Sequence, residues 1–293
     1  MRFEDHHPAI NLLFFTAVIG CALSFRHPVF LALSWICSYA YAVKKGGVKT
    51  FLLGLALIPL ALLYGCWFAA YNHFGVTNLK QNFAGNQITL ESLLFGIDKG
   101  FAIASAILWA CCVFAVFTSD KVVYLFGRIS PRLSLFLSLL LRAVPRILGM
   151  AKKINISQQG IGRGINQGGI FRRIGNFFRL LSILVTWTME SLVTGSDSMK
   201  SRGYTLKGRT AFSIYRFDNR DRVLVIALSA LMTVTAAGLL LDQMFILFRP
   251  RIVMNRITPL SFIFYLAYAA LCMLPLAMEL AGERRFERLR ASV

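Results

Sequence analysis

The chain has 293 residues, 57% of them hydrophobic and only 15% charged, with a mean hydropathy of +0.62. A soluble domain of this length needs far more polar surface, so the composition excludes that class and favours a multi-span membrane protein. The net charge of +19 suits nucleic acid, acidic headgroups or loops kept on the cytoplasmic side. The charges fall between apolar runs, which favours the last two.

The first apolar run, 9–25, is followed by Arg26-His27-Pro28. The second, 29–43, ends at Lys44-Lys45-Gly46-Gly47. Residues 51–71 form the clearest run, with the roughly 20 residues needed to cross about 30 Å of hydrocarbon. A polar, Asn-rich stretch, 72–91, leads to a fourth run at 101–117, with Asp98 and Lys99 just outside it. Two more runs follow at 223–248 and 260–281. About six spans are expected in an all-α, polytopic helical membrane protein. Its domains are an N-terminal membrane region, 1–117, a cytoplasmic helical region, 118–222, and a C-terminal membrane region with a basic tail, 223–293.

Lys and Arg in short loops set the orientation. Lys44, Lys45 and Lys49 place the loop after the second run in the cytoplasm, so 72–91 lies outside and the chain returns at Thr118. Residues 118–222 then hold 18 Lys or Arg against five Asp or Glu, in agreement with that alternation. The loop carrying Arg249, Arg251 and Arg256 disagrees, but the long basic region and the tail of Arg284, Arg285, Arg288 and Arg290 outweigh it.

Within 118–222, Thr118-Ser119-Asp120 predicts a helix start. The runs Leu133–Leu141 and Leu180–Met189 are each about half a span long. They fit either further transmembrane segments or, as preferred here, two long cytoplasmic helices with apolar faces. These helices run from about 133 to 157, with a kink expected at Pro145, and from about 174 to 200, joined by a turn at Gly168-Gly169.

The first of these helices finishes at Gln158-Gln159-Gly160-Ile161-Gly162-Arg163-Gly164. The second finishes at Asp197-Ser198-Met199-Lys200-Ser201-Arg202-Gly203-Tyr204. In each an Arg is flanked by small residues and followed by Gly, which terminates helices in the left-handed conformation. Arg in a last turn is favoured by the helix dipole. An Arg presented this way can enter a groove on another protein and make forked hydrogen bonds to carboxylates.

These ends, together with HPAINLLFF, RHPVFLALS, NQITLESLLFGIDKG, SDKVVYLFGRISPRLSLFLSLLLRAVPR and TMESLVTGSDSMKSRGYTLKGRTAFSIYRFD, resemble the T component (EcfT, CbiQ-like) of energy-coupling-factor transporters over nearly the whole length. The resemblance implies a non-catalytic membrane scaffold with long cytoplasmic coupling helices. It also implies two X-Arg-X motifs, each docking on one of two ABC-type ATPases. They map onto Gly162-Arg163-Gly164, which departs from the more usual Ala or Ser before Arg, and onto Ser201-Arg202-Gly203. In the mechanism so implied, ATP binding closes the ATPases and draws the two ends together. The helices then topple a small substrate-binding membrane subunit (S component), which releases a vitamin or metal ion.

The chain contains no P-loop run G-x-x-x-x-G-K-[ST], and Gly160, Gly162 and Gly164 do not complete a dinucleotide fingerprint. No cofactor, metal or catalytic residue is expected. The six cysteines, all in apolar runs, read as small buried side chains, and His6-His7 as a solvated terminus. Phe171, Phe177, Phe178, Phe212, Tyr215 and Phe217 interleave with basic residues, which suits lipid and protein contact rather than nucleic acid. A stand-alone secondary transporter or membrane enzyme, with 118–222 as a regulatory domain, is the alternative. It calls for intramembrane polar pairs or internal symmetry; neither is visible, and Asp242 is the one charge noted within a run.

Overall fold

The structure is a computed structural model that describes residues 3–81, 87–204, 206, 215, 217–241, 243–244, 246–255 and 258–291. Asp242, Arg256 and Phe212 lie outside the described residues. Among those described are nine α-helices: α1 (Pro8–Ser24), α2 (Pro28–Gly46), α3 (Val48–Tyr71), α4 (Leu90–Val116), α5 (Ser119–Ile129), α6 (Pro131–Gly160), α7 (Ile170–Ser201), α8 (Asn219–Leu240) and α9 (Pro259–Ala291). Two short antiparallel hairpins, β1 (Asn78–Gln81) with β2 (Gln87–Thr89) and β3 (Ile246–Leu247) with β4 (Val253–Met254), join helices on one side of the fold. The chain divides into two compact units, Met1–Thr118 with Tyr215–Val293, and Ser119–Ile214.

Helix starts in the first unit follow from the sequence. Both α1 and α2 begin with Pro preceded by His, and the Nδ1 of His7 or His27 accepts from the backbone N–H two residues on, at 3.3 and 3.4 Å. Proline at the first position has no N–H to satisfy, and the His side chain covers the next orphan donor. Asp218 and Asp221 form a reciprocal capping box at α8, as expected of such acidic pairs. Gly47, at φ 63°, ends α2 and starts α3 at once.

The close pair α3–α4 depends on small residues at four-residue spacing, Ala61, Gly65 and Ala69 on one helix and Gly96, Gly100 and Ala104 on the other. A Cβ added to Gly96 would lie 2.9 Å from the Gly65 carbonyl oxygen, and one on Gly100 would lie 2.6 Å from that of Ala61. Backbones in that proximity gain van der Waals contact in an apolar medium, where burial between helices offers no hydrophobic drive. Around this pair α1, α2, α8 and α9 enclose an aromatic core of Phe14, Phe15, Tyr41, Trp109 and Tyr268. The Trp109 Nε1–H donates to Ser34 Oγ at 3.2 Å.

Polar contacts mark two sides of this unit. On one, the start of the chain meets the ends of α2 and α9: Lys45 Nζ bridges Glu4 at 2.8 Å and Glu279 at 2.5 Å, and Lys44 meets Glu283 at 2.7 Å. His6 Nδ1 lies 2.7 Å from Asp221 at the start of α8. His6 and His7 are buried, not the solvated terminus expected, because residues some two hundred positions away cover them, Asp221 at His6 and the Phe217 ring at His7. On the other side lie Arg26, the end of α3, the start of α4 and the β3–β4 hairpin.

Several boundaries differ from the sequence reading. The fourth span begins at Leu90 and not near 101, so Asp98 and Lys99 are inside α4; the apolar run marked only the part that carries no charge. The fifth ends at Leu240, and 246–254 pairs as a hairpin. The basic tail continues α9 as helix. Cys66 is exposed whereas Cys37, Cys112 and Cys272 are buried. Most significantly, α6 and α7 are, by length and composition, long and apolar enough to cross a membrane, as are α3, α4, α8 and α9. The half-span runs seen in sequence understate them, since apolar residues continue at helical spacing among charges. The helices α1 and α2, counted as spans, have 17 and 19 residues and fall outside that set.

Replacing Gly100 with Val forces α3 and α4 apart and is expected to cost about 1–3 kcal/mol, read as a lower melting temperature in mild detergent. Gly149→Ala, where no atom lies within 4 Å of the new Cβ, should leave melting unchanged or raise it by removing a flexible helical glycine.

Candidate functional site

The second unit is built on α5, α6 and α7. Ile154 and Asn176 are buried along with Leu180, on the facing parts of α6 and α7. Much of the remaining apolar surface is open. None of the most apolar 18-residue stretch of α6 and 6% of that of α7 is buried, against 44% in α4 and in α9. Leu133, Phe136, Leu140, Val144 and Leu148 are exposed on α6 at spacings of three and four, as are Phe171, Ile174, Phe178, Leu181 and Val185 on α7. Such a stripe on each helix awaits lipid or another protein.

Both helices end in the same backbone motif. At the end of α6 the Arg163 N–H donates to the Gln158 carbonyl at 2.9 Å and the Gly162 N–H to that of Gln159 at 3.0 Å, with Gly162 at φ 75°. At the end of α7 the Tyr204 N–H donates to the Met199 carbonyl at 3.2 Å and the Gly203 N–H to that of Lys200 at 3.0 Å, with Gly203 at φ 77°. These are paired Schellman closures, which satisfy carbonyls left orphaned at a helix end.

The arginines occupy different places in that motif. Arg202 is the C-cap of α7, directly before the left-handed glycine. The C-cap of α6 is Ile161, and Arg163 follows the left-handed Gly162, in the slot held by Tyr204 in α7. The parallel drawn from Arg-Gly in the sequence is therefore out of step by two residues. Gly162 terminates α6, not Gly164, and Arg163 stands beyond the last turn. Only Arg202 is placed for the helix dipole. Sequence spacing could not reveal this, because two glycines flank Arg163 and either can adopt positive φ.

Gly164 has another role. It is buried, and a side chain there would run into that of Gln159. Its N–H donates to Gln167 Oε1 at 2.9 Å, and its carbonyl accepts from Asn176 Nδ2 at 3.0 Å. The neighbouring Ile165 N–H donates to Asn155 Oδ1 at 3.2 Å, and Gln167 Nε2 donates to the Gln159 carbonyl at 3.3 Å. Three amide side chains, Asn155, Gln167 and Asn176, thus fasten the 161–169 turn to both helices and hold Arg163 on the exposed side. None of the three was singled out in the sequence; the signal was Asn176 one turn before Leu180 on the buried face of α7, a polar group that needs a partner when buried.

Arg163 and Arg202 are both exposed, and no ion pair to either is found among the described residues. They lie at the two ends of α7. Its 32 residues correspond to about 48 Å of helix, so the arrangement offers two separate cationic points, not one combined site. No group of His, Cys, Asp and Glu able to hold a metal is found among the described residues.

No protein-family profile matches the chain. Over 92 residues it is 29% identical to the energy-coupling factor transporter transmembrane protein EcfT of Lactobacillus helveticus (strain DPC 4571). The chain is similar to EcfT. The match covers 31% of this chain and spans about a third (33%) of the length of that relative. With six helices long and apolar enough to cross a membrane, it supports the resemblance seen in the sequence and a multi-pass membrane component of a transporter.

Asn176→Leu removes the donor to the Gly164 carbonyl and is expected to cost about 1–3 kcal/mol locally. Hydrogen exchange at the 161–169 amides should accelerate while that of the α3–α4 pair stays unchanged.

Proposed function

We propose that the chain is the non-catalytic coupling subunit of an ATP-driven importer, with Arg163 and Arg202 each docking on one of two ABC-type ATPases. The observation that carries this reading is the pair of exposed guanidinium groups, each held beside a Schellman-closed helix end and about one helix length apart. An end without orphan carbonyls and without bulky neighbours can enter a groove, where Arg makes forked bonds to carboxylates. Docking residues in this reading are Gly162, Arg163, Gly164, Ser201, Arg202 and Gly203.

In this reading 118–222 is the coupling region, placed in the cytoplasm of a cell-membrane protein by its excess of Lys and Arg, between membrane regions 1–117 and 223–293. The exposed stripes of α6 and α7 take the small substrate-binding membrane subunit and lipid. Rigid helices then transmit closure of the ATPases to that subunit, which delivers a vitamin or a transition-metal ion. ATP hydrolysis belongs to the partners, as the chain has no P-loop of its own. The name of the similar protein, a transmembrane protein of an energy-coupling factor transporter, supports this assignment.

The test is charge reversal. Arg202→Glu and Arg163→Glu should each weaken ATPase co-purification by roughly 2–5 kcal/mol, and the double variant should abolish ATP-driven uptake in vesicles while the membrane helices fold normally. Unimpaired uptake by the double variant would exclude this function.

A further inference from the structure

On the side of the first unit away from Lys45, three cations lie against aromatic rings. The Arg26 guanidinium lies 5.5 Å from the Phe95 ring centroid, the Lys99 ammonium 4.8 Å from the same ring and 5.8 Å from that of Phe68, and the Arg249 guanidinium 4.1 Å from that of Phe74. The rings form one cluster, with Phe68, Phe74 and Phe248 at 5.4, 5.5 and 5.3 Å from Phe95. No ion pair to these three cations is found among the described residues. Two carboxylates are near: Asp98 interacts electrostatically with Arg26, and Glu91 is engaged by the Thr77 N–H at 3.3 Å. Arg251, exposed in the same hairpin connection as Arg249, keeps the balance positive.

Adjoining the cluster is a groove of about 510 Å³ between α2, α4 and the β3–β4 hairpin. Its walls are apolar (Leu31, Trp35, Leu94, Phe101 and Ile252 among them), with Asp98 as the charged group. Phe248 belongs to both wall and ring cluster, and Lys99 follows Asp98 directly. Trp67 and Tyr71, exposed at the end of α3 beside Phe68, are the amphipathic rings that settle at headgroup level. Rings at headgroup level would set the cations at the depth of lipid phosphates and the groove at the depth of lipid chains.

We propose that this is a binding site for an anionic phospholipid, with an acyl chain in the groove and the phosphate held by Arg26, Lys99 and Arg249. A guanidinium stacked on a ring uses its face and keeps its N–H edge for forked bonding to phosphate. The site also accounts for Arg249 and Arg251 on the side where loop arginines are disfavoured, since a bound phosphate supplies the missing acceptor. It stands independently of the coupling function.

The full chain in mild detergent, wild type and Arg26→Gln/Lys99→Gln/Arg249→Gln, is titrated with phosphatidylglycerol and with phosphatidylcholine, and bound lipid is counted by native mass spectrometry. Wild type should prefer phosphatidylglycerol, and the preference should fall about fivefold for each cation removed. Ala32→Trp, which fills the groove without altering charge, should lose both lipids. Because the cations also stack on the core rings, Lys99→Gln alone provides a milder variant, whose melting temperature should rise less on adding phosphatidylglycerol than that of wild type. An equal preference in wild type and triple variant, or undiminished lipid on Ala32→Trp, overturns the site. A photoreactive group at Ile36 that captures a protein segment in place of lipid overturns it as well.

Discussion

An α-helix leaves its last carbonyls without partners, and in a medium poor in water each of them must find a donor close by. In this protein that constraint shapes both the fold and the exposed ends of α6 and α7. Gly162 and Gly203, in the left-handed conformation, turn the chain so that the next N–H groups fold back onto the orphan carbonyls. With those carbonyls closed internally, Arg163 and Arg202 have no cap to serve, and both are exposed.

The same demand governs the first unit. His7 and His27 cap the two Pro-initiated helices, and the Asp218–Asp221 capping box does so for α8. Asp221 also holds His6, so the start of the chain is tied to the point where the chain re-enters this unit. Lys45, between Glu4 and Glu279, repeats the connection at the ends of α2 and α9. Charges that would be costly in hydrocarbon are grouped at one edge and paired. The opposite edge engages its cations with aromatic rings.

The two units also differ in what they leave open. In the first, the long helices bury nearly half of their most apolar stretches against one another, at least for α4 and α9. In the second, α6 and α7 meet through a narrow contact at Ile154, Asn176 and Leu180 and turn broad apolar stripes outward. A helix that is apolar along one face and unpartnered in its own chain is stabilised by whatever covers that face.

Much of this was legible in the sequence. Composition and run length set the membrane class, and Arg followed by Gly at 163–164 and 202–203 pointed to the helix ends, though to the wrong glycine at the first, because apolar periodicity and positive-φ preference are local properties of the chain. Four features required the tertiary structure. The slot of each Arg in its Schellman motif, the Asn176 lock on Gly164, the burial of His6 by Asp221 and the extension of α4 back to Leu90 all depend on atoms distant in sequence or on one glycine being chosen over another. Local chemistry determines which residues can end a helix or line a membrane. Only packing decides which carbonyl is reached, which charge is covered and which face is left for another molecule.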